Sequence, residues 1–434
     1  MILNIIKNRV FSESIILEYK VSQSDFTRRR KQSFHNTILF MINFLTKSLS
    51  IEIENFVSFI KNRIEPGDIE YFTKSAFVQC RKKIKPEVFK YLSDNLVEEF
   101  YTDNDESIKL WNGFRLLAVD GSRMTLPNTQ ELEKIYGKTK NQSKTGVVQA
   151  RVSVLYDVLN KFVIDGCLVP LSTGESKLAL EHLECSTTGD LIIYDRGYPS
   201  FNLIYEHYER GTDFLIRSKA DFNNVTRKFS ESGLSTDMVK MYPGKNTKIL
   251  DKPYSKNTYK EVRLVRVELP SGEIEILITS FCDPERYPDS IFKKLYFLRW
   301  GVEIFYDELK NKIKAEHFSG YSQHSILQDF YAALFVSNVQ SLIVGEINDE
   351  LAKESEGNKY QYKVNNNLSY GFLKDRIITL FFSEKDMAII ISELKEIFKR
   401  HTIPIRPNRR YERDVDKYRK RTKPKVLKNI KDAI

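Results

Sequence analysis

The sequence predicts an α/β protein: a core built on one β-sheet, preceded and followed by helical stretches. Three observations predict it. Up to about residue 105, apolar residues recur at three- and four-residue steps. From about residue 113, β-branched and aliphatic runs bounded by turn residues take over, with helical segments between some of them. After about residue 285 the helical spacing returns and lasts to near residue 400.

Taken in order, "NTILFMINFLTKS", "EIENFVSFIKNRI", "SAFVQCRKKI" and "PEVFKYLSDNLVEEFY" carry the first helical pattern, with Ser75 as an N-cap before Phe77 and Pro86 in a first turn. Basic residues cluster at 28 to 31 and 81 to 83, which suits either a plain helical subdomain or one that grips DNA. The runs "FRLLAVDGS", "VVQARVSVLYDVLN" and "KFVIDGCLVP" read as three adjoining strands, with Asn160 at a turn. A helix "ESKLALEHLE", a fully apolar strand "LIIYD", a helix "PSFNLIYEHYERG" and a strand "DFLIRS" follow. Residues 220–285 read as β-rich, above all the hairpin "KEVRLVRVELPSGEIEILITSF" around Pro270-Ser271-Gly272. The last helices are "SILQDFYAALFVSNVQSLIVGEINDEL" and "EKDMAIIISELKEIFKRH", with Glu354 to Asn367 between them as a polar connection or helix end.

With 434 residues, 41% hydrophobic and 12% aromatic, the chain has enough apolar content to bury a large core, which argues against disorder. It carries no uninterrupted apolar run of about 18 residues, and "MILNIIKNRVF" is broken by Asn4, Lys7, Asn8 and Arg9, so a soluble, unexported protein without a membrane partner is expected. Cys80, Cys167, Cys185 and Cys282 stand singly, and the six histidines form no ligand-like spacing. Any metal would therefore be bound by carboxylates. The net charge of +10 lies entirely at one end, because residues 399–434 hold 14 Lys/Arg against 4 Asp/Glu and leave 54 against 54 elsewhere. That tail reads as a solvated terminus or as a flexible arm on a phosphate backbone.

The stretch "YFLRWGVEIFYDELK", residues 296–310, carries the chemistry. At roughly 100° per residue, Tyr296, Arg299, Glu303 and Lys310 fall within a sector of about 60°. Leu298, Val302, Phe305, Leu309 and Ile313 form an apolar stripe beside it, and Trp300 sits at the edge of the polar face as a packing residue. Read alone, Arg299 and Glu303 are an i,i+4 surface pair. Asp120 at the end of "FRLLAVD" and Asp195 at the end of "LIIYD" change the reading, since polar groups at the carboxyl ends of adjacent strands commonly line an α/β active site. Each alone is also an ordinary turn or cap residue. Three carboxylates together would supply hard oxygen ligands for Mg²⁺, and two such ions support in-line phosphoryl transfer.

The Y-x2-R-x3-E-x6-K spacing of Tyr296, Arg299, Glu303 and Lys310, with "DGS" at Asp120 and "DRGY" at Asp195, resembles the insertion-sequence DDE transposases of the "four" family. The likeness runs through "FTRRRKQSF", "KSAFVQCRKKI", "GESKLALEHL" and "EHFSGYSQHSILQDFYAALFVSN". The resemblance implies a ribonuclease H-like mixed sheet with flanking helices, a β-rich insert before the catalytic Glu helix, and an all-helical N-terminal domain. By position it divides the chain into a DNA-binding part at 1–110, a catalytic core at 111–219 and 286–345, an insert at 220–285, and a helical C-terminal region with the basic tail at 346–434. Asp120, Asp195 and Glu303 would be the catalytic, metal-binding triad for two Mg²⁺ ions, with Mn²⁺ able to substitute. Tyr296, Arg299, Lys310 and Arg196 would contact DNA.

The implied activity is cut-and-paste transposition in a prokaryotic cytoplasm at the nucleoid. It would act on double-stranded DNA, at terminal inverted repeats and at a target, through a homodimer. Relatives that form a DNA hairpin hold a flipped base on an insert tryptophan; this chain's tryptophans, Trp111 and Trp300, lie elsewhere, so Tyr242, Tyr254 or Tyr259 would either substitute or be ordinary strand or loop aromatics. A transposase-derived DNA-binding protein that no longer cuts, and a stand-alone nuclease on the same core, are the alternatives.

Overall fold

The computed structural model describes residues 2–406 apart from 29, 44, 65–68, 104–105, 140–145, 245–246, 248–253, 269–271 and 375. The basic arm beyond residue 406 and the Pro270-Ser271 turn lie outside the described residues.

Six helices open the chain: α1 (Ile2–Val10), α2 (Glu13–Tyr19), α3 (Phe34–Ile42), α4 (Leu49–Arg63), α5 (Lys74–Arg81) and α6 (Glu87–Asp103). The cap of α5 is Thr73, not Ser75: its hydroxyl accepts from the Ala76 N–H at 3.2 Å, and Ser75 lies inside the helix. Lys74 and Ser75 add nothing to an apolar stripe, so periodicity alone starts the helix too late. Phe40, Phe56, Phe72 and Phe77 pack edge to face, with Phe40 and Phe77 centroids 4.8 Å apart.

The sheet follows with β1 (Arg115–Thr125), α7 (Gln130–Tyr136), β2 (Lys138–Thr139), β3 (Val147–Asp157), β4 (Val163–Pro170), α8 (Glu175–His182), β5 (Asp190–Tyr194), α9 (Phe201–Arg210), β6 (Asp213–Ser218), α10 (Asn224–Ser232), β7 (Thr236–Met241), β8 (Lys260–Glu268) and β9 (Ile274–Thr279). Its order is β2-β3-β1-β5-β6-β9-β8-β7, with β4 on β3. Strands β1, β5 and β6 run parallel, and Leu116–Val119 and Leu191–Tyr194 are buried throughout, as strands covered on both faces must be. Arg115 holds the start of β1 to β5 through both oxygens of Asp190, at 2.7 and 2.6 Å. The expected hairpin is β8–β9, and β9 pairs antiparallel with β6 from Leu215↔Thr279, so the β-rich segment continues the same sheet.

The stretch from 296 is not one uniform helix. It runs as α11 (Ser290–Phe297), α12 (Trp300–Asp307) and a π-helical turn at Glu308–Lys312. Between the first two, N–H groups of Leu298, Arg299, Gly301 and Val302 bond three residues back, which tightens the turn. Gly301 is the local reason: a Cβ there would come within 3.2 Å of the Val158 Cβ, so a residue that weakens the helix is what allows close seating.

Helix α13 (Gln323–Glu354) is 32 residues long and apolar enough by length and composition to cross a membrane, but 78% of its apolar window is buried, as in a core helix. The chain closes with β10 (Gln361–Val364), α14 (Asn366–Leu373), α15 (Arg376–Phe382), α16 (Met387–Arg400) and β11 (Thr402–Ile405), β10 pairing antiparallel with β11.

The chain divides into two compact units. One comprises Met1–Ser107, Met124–Ala150 and Asp307–Ile434; the other comprises Ile108–Arg123 and Arg151–Tyr306. Within the first, the buried Arg81 guanidinium donates to Gln328 Oε1 at 2.9 Å, Ser319 Oγ at 2.6 Å, the Ser325 carbonyl at 3.0 Å and Asp329 Oδ1 at 2.9 Å, tying α5 to α13.

Candidate active site

The site lies within the second unit and begins with strand register. Parallel pairing of β1 with β5 ends at Val119↔Tyr194, so Asp120 and Asp195 are the next residue on each strand. Asp120 does not end its strand, as the sequence suggested, because β1 continues to Thr125; what ends there is β5, which turns away at Arg196-Gly197. Gly121 donates its N–H to Asp120 Oδ1 at 2.8 Å. Gly121 and Gly197 both abut the Glu175 carboxylate, with their would-be Cβ atoms each 3.4 Å from one of its oxygens, and Glu175 is ion-paired to Arg151.

Glu303 comes from α12, seated by buried Val302 and by Phe305, whose ring stacks on Tyr156 at 4.9 Å. One guanidinium joins two of the acids. Arg299, 5% exposed, donates through Nη2 to Glu303 Oε1 at 2.5 Å while Nη1 lies 3.5 Å from Asp120 Oδ2. The Tyr296 hydroxyl donates to Asp195 Oδ1 at 3.1 Å, and Arg217 lies 3.7 Å from the same oxygen while pairing with Glu275 at 2.7 Å.

Behind Asp120, the Tyr306 hydroxyl donates to its carbonyl at 2.7 Å. A buried chain runs from Ser153, 3.5 Å from that same carbonyl, to His182 Nε2 at 2.9 Å and on from His182 Nδ1 to Asp165 at 2.7 Å. With Ser153 and His182 at 1% and 2% exposure, this chain braces the strand and has no opening for a substrate.

Burial pushes Asp120 up to about 6; Arg299 and the Gly121 N–H oppose that shift, and the charges of Glu303 and Asp195 add to it. Burial also raises Tyr296 well above the ordinary phenol range, against Arg299 and with Asp195, so its hydroxyl remains a donor. Burial works against the charge on Arg299, but Tyr296, Asp120, Asp195 and Glu303 together outweigh it and raise its pKa.

The donor chemistry fits a hard divalent cation: all oxygen, negatively charged, and half-buried at Asp120. Among the described residues no three His, Cys, Asp or Glu side chains stand close enough to hold a metal ion; at Asp120 and Glu303 the positive charge comes from Arg299.

Asp120, Asp195, Glu303, Tyr296 and Arg299 are thus brought together. Arg196 is exposed in the turn after β5. Lys310 lies in the π-helical turn of the other unit, where burial lowers its pKa and Glu316 counteracts. Trp300 is 40% exposed, more than its reading as a packing residue expects. Of the three tyrosines considered, Tyr254 is packed against Phe201 and Tyr205. Tyr242 and Tyr259 are 49% and 43% exposed with rings 5.6 Å apart. Tyr242 also lines, with Phe201, Phe222 and Met241, a cavity of about 420 Å³ next to the segment that follows Asp195.

Sequence reasoning did not find Glu175, Arg217 or Tyr306. Arg217 had a usable signal, a charge near the end of the apolar strand "DFLIRS", whereas Glu175 and Tyr306 gave none without the three-dimensional register.

Comparison with known proteins places the chain. A family model described as "Transposase DDE domain" matches residues 111–339, more than half of the chain. The transposase InsG for insertion sequence element IS4 of Escherichia coli strain K12 is 22% identical over 297 residues, covering 64% of this chain and 64% of that protein, slightly under two thirds of it. The transposase for insertion sequence element IS231F of Bacillus thuringiensis subsp. israelensis is 20% identical over 366 residues, 74% of each chain. The cryo-EM structure of the piggyBac transposase synaptic complex with hairpin DNA aligns over 98% of this chain and 90% of that one at a TM-score of 0.46 and 10% identity. With the family match spanning β1, β5 and α12 and hence all three carboxylates, the chain belongs to the DDE-domain transposases.

Proposed function

We propose that this chain excises and reinserts a DNA element by phosphoryl transfer at Asp120, Asp195 and Glu303. The observation that carries the reading is the single Arg299 guanidinium spanning Asp120 and Glu303, with Asp195 beside Asp120 at the end of the same parallel strand pair. Two acids as remote in the sequence as Asp120 and Glu303 have no folding reason to share one cation. The carboxylates would hold two Mg²⁺ ions, with Mn²⁺ as a substitute, and these ions when bound supply charge neutralisation at the scissile phosphate.

Arg299 would exchange its carboxylate partners for phosphate oxygens, a geometry its planar fork suits. Tyr296 would donate from its protonated hydroxyl, and Arg196 and Lys310 would add positive charge along the backbone. Glu175 and Tyr306 would keep the Asp120 segment of β1 in place during this exchange. The helical residues 1–110 and the basic tail would bind the element's terminal repeats and target DNA, with 111–219 and 286–345 as the catalytic core, 220–285 as its insert and 346–434 as the C-terminal region. A homodimer would join the two ends, in a bacterial cytoplasm at the nucleoid. If a hairpin forms, Tyr242 and Tyr259 are the exposed insert aromatics available to hold a displaced base.

The test is cleavage of a duplex bearing the inverted repeats that flank the coding region, with Mg²⁺, read on a denaturing gel, followed by joining to a plasmid target. The parent should cut and join, and Asp120→Ala should do neither. Cutting without joining would identify a nuclease; a mobility shift without any cutting would identify a binding protein. Undiminished cleavage by Asp120→Ala would remove the triad from the site.

A further inference from the structure

Away from the carboxylates, in the N-terminal helical part of the first unit, a cavity of about 560 Å³ opens between the loop before α3 and helix α5. Its apolar wall includes Phe26 and the buried Phe34, whose rings meet edge to face at 5.3 Å. Arg28, Arg30 and Lys83 also line it. The two arginines are exposed and make no hydrogen bond or ion pair among the described residues, whereas Lys83 pairs with Asp25 at 3.4 Å.

Among the described residues, two buried atoms in this lining lack partners. Gln32 is 3% exposed, and its Nε2 donates to Thr37 Oγ1 at 3.1 Å. Thr37 spends its own proton on the Ser33 carbonyl at 2.7 Å, so its oxygen can only accept, and this fixes the orientation of the Gln32 amide. Gln32 Oε1 is left as an acceptor with no donor. His35 adds a second such atom: burial lowers its pKa, against an opposing effect of the Ser12 backbone, and its Nε2 has no partner among the described residues. A buried acceptor without a donor is costly to maintain. Phosphate oxygens, which only accept, cannot satisfy either atom. A flat ring bearing N–H groups can, with its phosphate meeting the arginines at the rim.

We infer that this cavity takes one nucleotide lifted out of the DNA stack, its amine-bearing base against Phe26 and Phe34 with N–H groups directed to Gln32 Oε1 and His35 Nε2, and its phosphate at Arg28 and Arg30. The inference rests on the reading of the chain as a DNA-acting transposase. The base is one with an exocyclic amine, namely adenine, guanine or cytosine, because two acceptors need at least two N–H groups. Lifting a base from the stack exposes both its ring face and its N–H edge, which no intact duplex offers together.

The full-length chain is mixed with duplexes of its own flanking repeat in which 2-aminopurine replaces one base at a time. One position should brighten on binding, and the brightening should vanish with Gln32→Leu. Anisotropy titration with the unmodified repeat should show Gln32→Leu binding about tenfold more weakly at an unchanged salt slope, whereas Arg30→Gln should lower that slope by about one. Gln32→Leu is nearly isosteric and removes an unsatisfied buried oxygen, so it should fold; a thermal melt checks this. Photocrosslinking of duplexes carrying 5-iododeoxycytidine or 8-azidodeoxyadenosine, which keep the exocyclic amine, to the unmodified protein gives a mutation-free readout, expected on the peptides holding Phe26 and Phe34.

If the protein binds and cleaves the repeat while no position brightens and crosslinks fall only elsewhere, the cavity holds no base, and the transposase reading stands without it. If it binds no DNA, that reading fails first and takes this inference with it. Micromolar binding of free deoxyadenosine monophosphate without DNA, lost in Gln32→Leu, would make the cavity a mononucleotide site and overturn the DNA assignment.

Discussion

His207 should make the folded protein acid-labile, with a slope that can be worked out from its surroundings. It sits on α9, fully buried, between the Tyr194 hydroxyl at 2.9 Å from Nε2 and the Thr212 hydroxyl at 2.7 Å from Nδ1. Burial drives its pKa from 6.5 down to about 3; the Thr212 hydrogen bond opposes this and the Arg210 charge adds to it. The unfolded chain therefore binds a proton that the folded chain refuses. Stability from this group is complete above pH 6.5 and falls as pH drops toward 3, by about 1.4 kcal/mol per pH unit.

Asp120, Asp213 and Glu275 have pKa values raised by burial and act with the opposite sign, favouring the fold as pH falls through their range. They are common to parent and variant, so a difference measurement removes them. Urea unfolding of the metal-free parent and of His207→Gln, followed by circular dichroism from pH 7.5 to pH 5, isolates the His207 contribution. At pH 7.5 the variant should be less stable, and by pH 5 the gap should narrow by about 2 kcal/mol in its favour. Parallel curves over that range would refute the reasoning. The link to the site is direct, because Tyr194 is the residue before Asp195 on β5.

Gly301→Val should destabilise the second unit by about 1–3 kcal/mol through overpacking on Val158 and lower cleavage by displacing Glu303, read by thermal melt and gel assay. Arg81→Met should cost about 3–5 kcal/mol in urea titration, because it removes a buried charge and leaves the Asp329 carboxylate without its guanidinium. Deleting residues 407–434, which leaves β11 paired with β10, should weaken DNA binding and flatten its salt dependence, since fewer counterions are released; an unchanged slope would assign the arm another role.

The sheet was legible because its strands are plain in composition: "FRLLAVD" and "LIIYD" can be little else, and both aspartates followed from where the apolar runs stop. Spacing put Tyr296, Arg299 and Glu303 on one face, while their grouping with Asp120 and Asp195 came from the family resemblance. Short elements with mixed composition, such as β7 and α10, were not, because six or nine residues with few apolar positions leave no period to detect. The uniform helix through 296–310 failed for a related reason: a helical wheel assumes constant rotation, and a turn tightened before Gly301 and widened at Glu308 violates it at both ends. Glu175 was invisible because it meets Gly121 and Gly197 only after β1 and β5 have paired.

The double engagement of Arg299 bears on how the molecule idles. Nitrogens turned toward two acids are not free for a nucleic acid strand, and acids soothed by an internal cation attract an external one less strongly. By thermodynamic reciprocity, whatever draws the side chain outward strengthens the pull on incoming ions, and ions that settle among the acids free the side chain to grip outward. A protein wired this way would wait for both arrivals together.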